Sequence, residues 1–201
     1  MSTVEAQRPL VGVLLYPGCI FLESAAAVEL LAPRCRLLYA TPDGSAHPAS
    51  NGSVLMAQAS YADLAAAPLQ ALLVPGGDPG SIVPTGAARA ALRAAAAGGA
   101  LLAGICAGAL VLADAGLLRG RRGTHNYTAE FASPEVVAFV APYWEGLRFE
   151  RGDLVLDGRV ITAQPWAHVR FAATVARELG MLSADQAEAH VAYHRRQIDS
   201  P

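Results

Sequence analysis

The stretch "GICAGAL" (residues 104–110) decides the fold, because it places one cysteine among small residues at the end of an apolar run. The run before it is typical of a buried strand, and the apolar residues after it favour a helix. A sharp turn from strand to helix brings neighbouring backbone close, so the side chains beside its central residue must be small. The sequence therefore predicts a nucleophile elbow of the G-x-nucleophile-x-G type with Cys106 at its centre.

The place of Cys106 at a predicted helix start indicates a reactive thiol. Unpaired amides and the positive end of the helix dipole favour a thiolate and lower the pKa of the cysteine. The Ala107 amide would face a developing oxyanion, and Gly76 and Gly77 are expected to supply a second donor, because parallel strands deliver their loops to one sheet edge. The alternative interpretation is that Cys106 is a small buried hydrophobe.

Short apolar runs alternate with alanine-rich or amphipathic stretches along the chain, which predicts an α/β fold built on a parallel sheet. Asn51-Gly52 and Asp157-Gly158 predict tight hairpins. Ser183 with Gln186 predicts the capped start of a last helix. The predicted strands cover residues 10–16, 36–40, 71–77 and 100–105, and the predicted helices cover residues 23–31, 85–99, 107–115, 166–180 and 183–199.

Composition limits the classes of protein that the chain can represent. Its 201 residues carry 15 basic and 17 acidic side chains and a net charge of −2, which argues against a nucleic-acid partner. The opening apolar run of about six residues is too short for a signal peptide or a membrane span, so we expect no membrane partner and a cytoplasmic location. Cys19, Cys35 and Cys106 form neither a disulfide framework nor a metal-ligand pattern, so neither a metal nor a cofactor is expected.

Two motifs, "LLVPGG" (residues 72–77) and "AGICAGALVLADAGLL" (residues 103–118), resemble the ThiJ/PfpI superfamily. The resemblance extends from residue 10 to about residue 181. It implies a flavodoxin-like three-layer sandwich similar to the class I glutamine amidotransferase domain, and it implies a homodimer. We therefore expect one domain over residues 8–182, with a helical tail over residues 183–201 packed on it.

Members of this superfamily carry an acidic residue beside the nucleophilic cysteine, and "YPGCIFLE" (residues 16–23) places Glu23 at that position. A carboxylate beside a thiolate raises both pKa values, so the arrangement is useful when the two groups share one proton. Glu23 would then donate to Cys106 or act as a general acid and base on the substrate. The alternative interpretation is an ordinary acid that complements the dipole of its helix.

The branches of the superfamily match this chain in different places. The protease-like branch has histidine where this chain has Ala107, which argues against a peptidase. The isonitrile hydratase branch resembles the chain in its "PG..FLE" opening and in "AGLLRGRRGT" (residues 115–124), but has threonine after the cysteine and aspartate in place of Glu23. The glyoxalase and deglycase branch shares "ICAG" and the glutamate, yet its histidine falls where this chain has Asn126, with His125 one place earlier.

The resemblance and the motifs leave several functions open. The first is a cofactor-independent enzyme, like the isonitrile hydratases, in which Cys106 attacks a small electrophile, with Glu23 and His125 as catalytic residues. Cys19, Asn126 and Tyr127 are candidates for the pocket wall. The alternatives are a glyoxalase or deglycase acting on reactive carbonyls, a redox-sensing or protective non-enzymatic protein in which Cys106 becomes oxidised, and a ligand-binding regulatory module.

Overall fold

The computed structural model describes residues 8–195. Its strands, in chain order, are β1 (Leu10–Leu14), β2 (Arg36–Thr41), β3 (His47–Pro48), β4 (Val54–Leu55), β5 (Ala59–Ser60), β6 (Ala71–Val74), β7 (Leu101–Ile105), β8 (Arg122–Gly123), β9 (Arg148–Phe149), β10 (Leu154–Asp157) and β11 (Val160–Ala163). The helices are α1 (Leu22–Leu31), α2 (Tyr61–Ala66), α3 (Arg89–Ala97), α4 (Gly108–Asp114), α5 (Pro134–Val140), α6 (His168–Glu178) and α7 (Ala184–His194).

One seven-stranded sheet runs through the molecule in the order β10-β11-β7-β6-β1-β2-β5. All neighbours in it are parallel except β10, which pairs antiparallel with β11. Helices α1 and α6 pack on each other in one layer, and α2 and α3 pack on each other in another. The prediction of an α/β three-layer sandwich is confirmed.

The central strands form because their sequences are apolar throughout. Every residue of β6 and of β7 is buried, as expected for strands covered by helices on both faces. The third predicted strand, residues 71–77, ends three residues early at Val74, because Pro75 has no N–H to donate to the sheet. Gly76 and Gly77 are thereby released into a loop at the carboxyl edge of the sheet.

Several predicted elements change at their boundaries. The helix predicted for residues 85–99 is shorter and begins at Arg89, because Gly86 has a φ of +65° and forms a turn before it. The hairpin at Asn51-Gly52 forms, but β3 and β4 make a separate two-stranded sheet. The hairpin at Asp157-Gly158 joins β10 to β11 as predicted.

The last described helix, α7, lies on α6. Ser183 accepts a hydrogen bond from the Gln186 N–H, and Gln186 returns one to the Ser183 N–H, so the predicted capping box is present. Ala187 and Val191 are buried with Ala173 of α6. The predicted helix extends to residue 199, and its residues 196–199 lie outside the described residues.

Candidate active site

Cys106 lies at the turn between β7 and α4, at the carboxyl edge of the sheet. Its φ is 55°, and among residues 8–195 it is the one non-glycine residue with a positive φ. A left-handed conformation costs an L-residue of order 1 kcal/mol and is kept only where its surroundings enforce it. The Cys106 N–H donates to Ala163 O of the neighbouring strand at 2.8 Å, which fixes the turn.

The two glycines near Cys106 are required because a larger side chain would clash with neighbouring atoms. A Cβ on Gly108 would lie 2.1 Å from the carbonyl oxygen of Val74. A Cβ on Gly104 would lie 2.8 Å from Leu112 and 2.9 Å from the Gly108 backbone. The helix thus begins against the end of the neighbouring strand β6, and only glycine permits that approach.

Glu23 reaches the same point from the first turn of α1. Its side chain is hydrogen-bonded to Cys106, and its Oε2 accepts a hydrogen bond of 2.7 Å from the Gly76 N–H. A Cβ on Gly76 would lie 2.5 Å from Glu23 Oε2 and 2.6 Å from Cys106 Cβ. Residues from three separate chain segments therefore meet at one point, and the Gly76 N–H, expected to be an oxyanion donor, binds Glu23.

Burial dominates the electrostatics of this pair. It raises the pKa of Glu23, and burial together with the Glu23 charge raises the pKa of Cys106 to about 12. The Ala107 N–H and the Asn126 side chain lower the pKa of Cys106 by smaller amounts. The helix start therefore acts in the expected direction through the Ala107 N–H, but burial outweighs it, and the pKa of Cys106 is raised rather than lowered.

The two groups titrate together because they are hydrogen-bonded: the Glu23 charge raises the pKa of Cys106, and the hydrogen bond from Cys106 lowers the pKa of Glu23. Because the pKa of Cys106 is raised to about 12, the thiol keeps its proton well above neutral pH unless Glu23 accepts it. We infer that the pair shares this proton, so that a thiol beside a carboxylate exchanges with a thiolate beside a neutral carboxyl.

Asn126 and Tyr127 come to the pair from the loop after β8. The Asn126 Nδ2 lies 3.8 Å from Cys106 Sγ and donates to it. Burial, with the charges of Cys106, Asp78 and Glu23, raises the pKa of Tyr127 to about 12, so its phenol is a neutral donor. Asn126, rather than His125, is the residue of this loop that touches the thiol.

His125 points to a cluster of aromatic residues. Its ring stacks on Trp144 with centroids 4.0 Å apart and tilts against Phe149 at 4.8 Å. Its Nδ1 accepts the Tyr127 N–H at 3.2 Å, and burial lowers its pKa to about 4. The imidazole is therefore neutral at pH 7, and no hydrogen bond joins it to Cys106 within residues 8–195.

The loop after β1 closes the site from the other side. Cys19 is fully buried, and its backbone pairs with that of Gly77. Gly77 has a φ of +122°, and a Cβ on it would lie 2.3 Å from the carbonyl oxygen of Gly18. Cys19 therefore braces the glycine turn, and burial raises the pKa of its thiol.

Two residues without a role in the sequence-based predictions hold this site in place. The Gln164 Nε2 donates to Thr124 Oγ1 at 2.9 Å and to His125 O at 3.0 Å, which anchors the loop that carries Asn126. The Tyr16 hydroxyl donates to Pro75 O at 2.9 Å and fixes the turn before Gly76. Tyr16 follows β1 and Gln164 follows β11 at the carboxyl edge of the sheet. A polar side chain at that position in the sequence is the feature that could have indicated a role in the site.

Within the described part of the chain, no three His, Cys, Asp or Glu side chains come together in a way that would hold a metal ion. Over the same residues, no helix has the length and the apolar character needed to cross a bilayer.

A largely parallel sheet between two helical layers, with a buried cysteine at a strand-to-helix elbow, defines an α/β protein of the cysteine-elbow class. The chain belongs to the DJ-1/PfpI family, whose family model matches residues 11–178. This confirms the family predicted from the two glycine-containing motifs. No curated protein matches the sequence.

Solved structures share the fold at low sequence identity. A DJ-1 superfamily protein from Agrobacterium tumefaciens is 24% identical, with a TM-score of 0.75 over 93% of this chain and 100% of that chain. Drosophila melanogaster DJ-1beta is also 24% identical, with a TM-score of 0.75 over 96% of this chain and 100% of that chain. Oxidized DJ-1 from Toxoplasma gondii is 20% identical, with a TM-score of 0.72 over 94% of this chain and 100% of that chain.

Proposed function

We propose that the protein is a cofactor-independent enzyme in which Cys106 attacks the electrophilic carbon of a small molecule, and that it hydrates isonitriles. The observation that carries this proposal is the buried pair of Cys106 and Glu23, held by the Gly76 N–H at 2.7 Å. A nucleophile with an adjacent proton carrier is the arrangement that covalent catalysis requires. Cys106 is only 9% exposed, which favours a small substrate over a peptide.

The pair carries out each proton transfer that isonitrile hydration needs. The Cys106 sulfur adds to the terminal carbon of R–N≡C, and the shared proton passes to that carbon, which gives the thioimidate R–N=CH–S. Water then adds to the same carbon, and Glu23 accepts its proton. Glu23 returns that proton to nitrogen, the C–S bond breaks as the remaining hydroxyl proton passes to the pair, and the products are the N-substituted formamide and the pair with its one proton restored.

Three further residues complete this scheme. The Ala107 N–H lies against Cys106 Sγ, where it stabilises the oxygen of the tetrahedral intermediate. The Gly77 N–H is the second donor in this proposal, because the Gly76 N–H is engaged by Glu23. Asn126 holds the sulfur through its Nδ2. His125 takes no proton in this scheme, since its ring lies in the aromatic cluster.

A reactive α-oxoaldehyde is the second candidate substrate, favoured by the neutral phenol of Tyr127 near the pair. The sulfur would add to the aldehyde carbon, Glu23 would move a proton from that carbon to the next, and water would release the 2-hydroxy acid. The overall change is addition of one water to R–CO–CHO. This is the chemistry that the glutamate of the glyoxalase-like branch implies.

A substrate panel read by NMR tests the proposal. The panel contains alkyl and aryl isonitriles and α-oxoaldehydes, each incubated with the wild type, Cys106→Ser, Glu23→Ala and Cys35→Ser. Cys35 is a matched control, because its buried thiol lies against Met181 rather than Glu23. We expect formamide from isonitriles with the wild type and Cys35→Ser, and no product with the other two variants.

Each other outcome has a defined meaning. Formation of 2-hydroxy acid alone identifies the second candidate. Turnover that survives in Cys106→Ser contradicts the covalent scheme. If the wild type converts none of the compounds, the proposal that the protein is an enzyme is contradicted. The redox and ligand-binding interpretations would then replace it. The homodimer and the cytoplasmic location remain predictions, and sedimentation of the purified chain tests the first.

A further inference from the structure

A cavity of about 510 Å³ lies beside the loop that carries Asn126, and Cys106 and Glu23 are not among the residues that line it. Its walls come from the segment around Phe131, from β9 and the turn after it, and from the segment after β11. A volume of this size is within the range of natural small-molecule sites. The cavity is therefore large enough for a ligand of its own.

Three aromatic side chains form its walls. Phe131, Phe149 and Trp166 are each about half exposed, at 49%, 46% and 50%, although large aromatic groups are ordinarily covered. The rings of Phe131 and Trp166 lie 5.2 Å apart at an angle of 55°. Aromatic faces that meet at one cavity favour a planar aromatic guest, because stacked and tilted ring pairs add to the effect of burial.

Two side-chain atoms of the inner wall have no partner among the described residues, His125 Nε2 and Gln164 Oε1, and of these only Gln164 Oε1 is fully enclosed by protein. His125 lines the cavity and is only 7% exposed. Its Nδ1 accepts the Tyr127 N–H, so the ring proton lies on Nε2. No hydrogen bond engages that Nε2–H within residues 8–195. Because Nε2 is not enclosed by protein, its N–H is open to a ligand acceptor in the cavity.

The charged groups around the cavity are already paired. Arg151 forms an ion pair with Glu130, and Asp153 accepts the Trp166 Nε1–H at 2.8 Å. Burial keeps the His125 imidazole uncharged at neutral pH. Among the described residues that line the cavity, no cation is left without a partner to bind an anion, so the walls favour an uncharged ligand.

We propose that this cavity is a second small-molecule site, separate from Cys106, that binds a neutral planar aromatic compound carrying a carbonyl acceptor. The ring lies between Phe131, Phe149 and Trp166, and the carbonyl oxygen accepts the His125 Nε2–H. The site does not depend on the reaction proposed for Cys106.

Benzamide is the test compound, with cyclohexanecarboxamide and benzoate as matched probes. The chain has two tryptophans, so ¹⁵N labelling gives two indole signals, and Trp166→Leu assigns them. We expect benzamide to shift the Trp166 indole signal saturably in the wild type and equally in Cys106→Ser. Both other probes should bind at least about tenfold more weakly, because one lacks the ring and the other carries a charge.

Variants test the same contacts from the protein side. His125→Phe keeps the ring stack on Trp144 but removes Nε2, and we expect about five- to tenfold weaker binding of benzamide, the effect of one neutral hydrogen bond. Trp166→Leu, observed by ligand NMR, should weaken binding similarly. Phe139→Leu is the control, because Phe139 is 76% exposed and does not line the cavity.

Three results would overturn the proposal. The first is no saturable shift with benzamide, and the second is equal binding of all three probes. The third is a change in sedimentation rather than in binding for Trp166→Leu, which would make the aromatic walls a contact between protein chains. Loss of benzamide binding in Cys106→Ser would also contradict the proposal, because it would show that the cavity is part of the proposed active site rather than a separate site.

Discussion

The N–H of Gly76 donates a 2.7 Å hydrogen bond to Oε2 of Glu23, and this contact sets the carboxyl group against Cys106. The glycine turn after β6 thus orients the proton carrier, and the positions of the nucleophile and the carboxyl depend on one another.

Gly76→Ala should disrupt both groups at once. The added Cβ would lie 2.5 Å from Glu23 Oε2 and 2.6 Å from Cys106 Cβ, so at least one side chain must move. We expect the free energy of unfolding to fall by about 1–3 kcal/mol, as in other overpacked cores. Denaturant unfolding measures it, and turnover of the substrate found in the panel should be lost.

Gly98→Ala is the control for that substitution. An added Cβ at Gly98 meets only ordinary contacts at 3.5 Å, and the residue has a helical φ of −75° at the end of α3. Its turnover should be that of the wild type, and its free energy of unfolding should be higher by up to about 1 kcal/mol, because alanine restricts the unfolded chain. Wild-type behaviour of Gly76→Ala as well would show that the contact with Glu23 does not constrain the site.

The backbone strain at Cys106 predicts a reversal of the usual order of alanine and glycine. At most positions glycine destabilises by about 0.5–1 kcal/mol relative to alanine, because the unfolded chain gains freedom. At a φ of 55°, glycine is unstrained and alanine is not. We expect Cys106→Gly to unfold at a higher denaturant concentration than Cys106→Ala, and the opposite order would contradict the strained elbow.

The buried His125 should make the protein less stable in acid. Its pKa falls to about 4 in the folded state, whereas the unfolded chain has the ordinary value near 6.5. The unfolded state therefore binds more protons between these values, and the stability that the neutral ring contributes is present above pH 6.5 and is lost as the pH falls towards 4. The loss is on the order of 3 kcal/mol.

His125→Phe isolates the contribution of His125 to the loss of stability in acid, because it keeps an aromatic ring against Trp144 and removes the titrating group. Denaturant unfolding of both proteins at about pH 7 and pH 4.5 gives the difference, in which the carboxylates common to both cancel. A variant that loses as much stability in acid as the wild type would show that His125 is not held neutral by the fold.

Much of the architecture was predictable, because apolar runs and glycine turns follow from local chemistry. Short stretches of sequence are enough to predict the buried strands β6 and β7, the elbow glycines and the capped start of α7. Two short helices, α2 and α5, were missed, although Ser60 with Asp63 and Ser133 before Pro134 are capping signals for them. Each spans fewer than eight residues, which is too short for a clear periodic pattern.

The partners within the site were less predictable, because they depend on tertiary packing. Gly76 was expected to face an oxyanion, yet Glu23 captures its N–H once α1 folds against the sheet. The pKa of Cys106 depends on burial that the motif does not contain. His125 and Asn126 are adjacent in sequence, and only the stack on Trp144 decides which of them faces the thiol.

The shared proton is the central claim, and the pH dependence of Cys106 alkylation tests it most directly. Iodoacetamide rate constants, followed by peptide mass, should be nearly flat for the wild type between about pH 6.5 and 9, because the pair holds one proton throughout. An ordinary thiol with a pKa near 8.5 gains roughly 75-fold over that range, and Glu23→Gln, whose thiol stays buried but has no carboxyl to share its proton with, should also rise steeply with pH. A wild-type profile that rises like an ordinary thiol and coincides with that of Glu23→Gln would contradict the account.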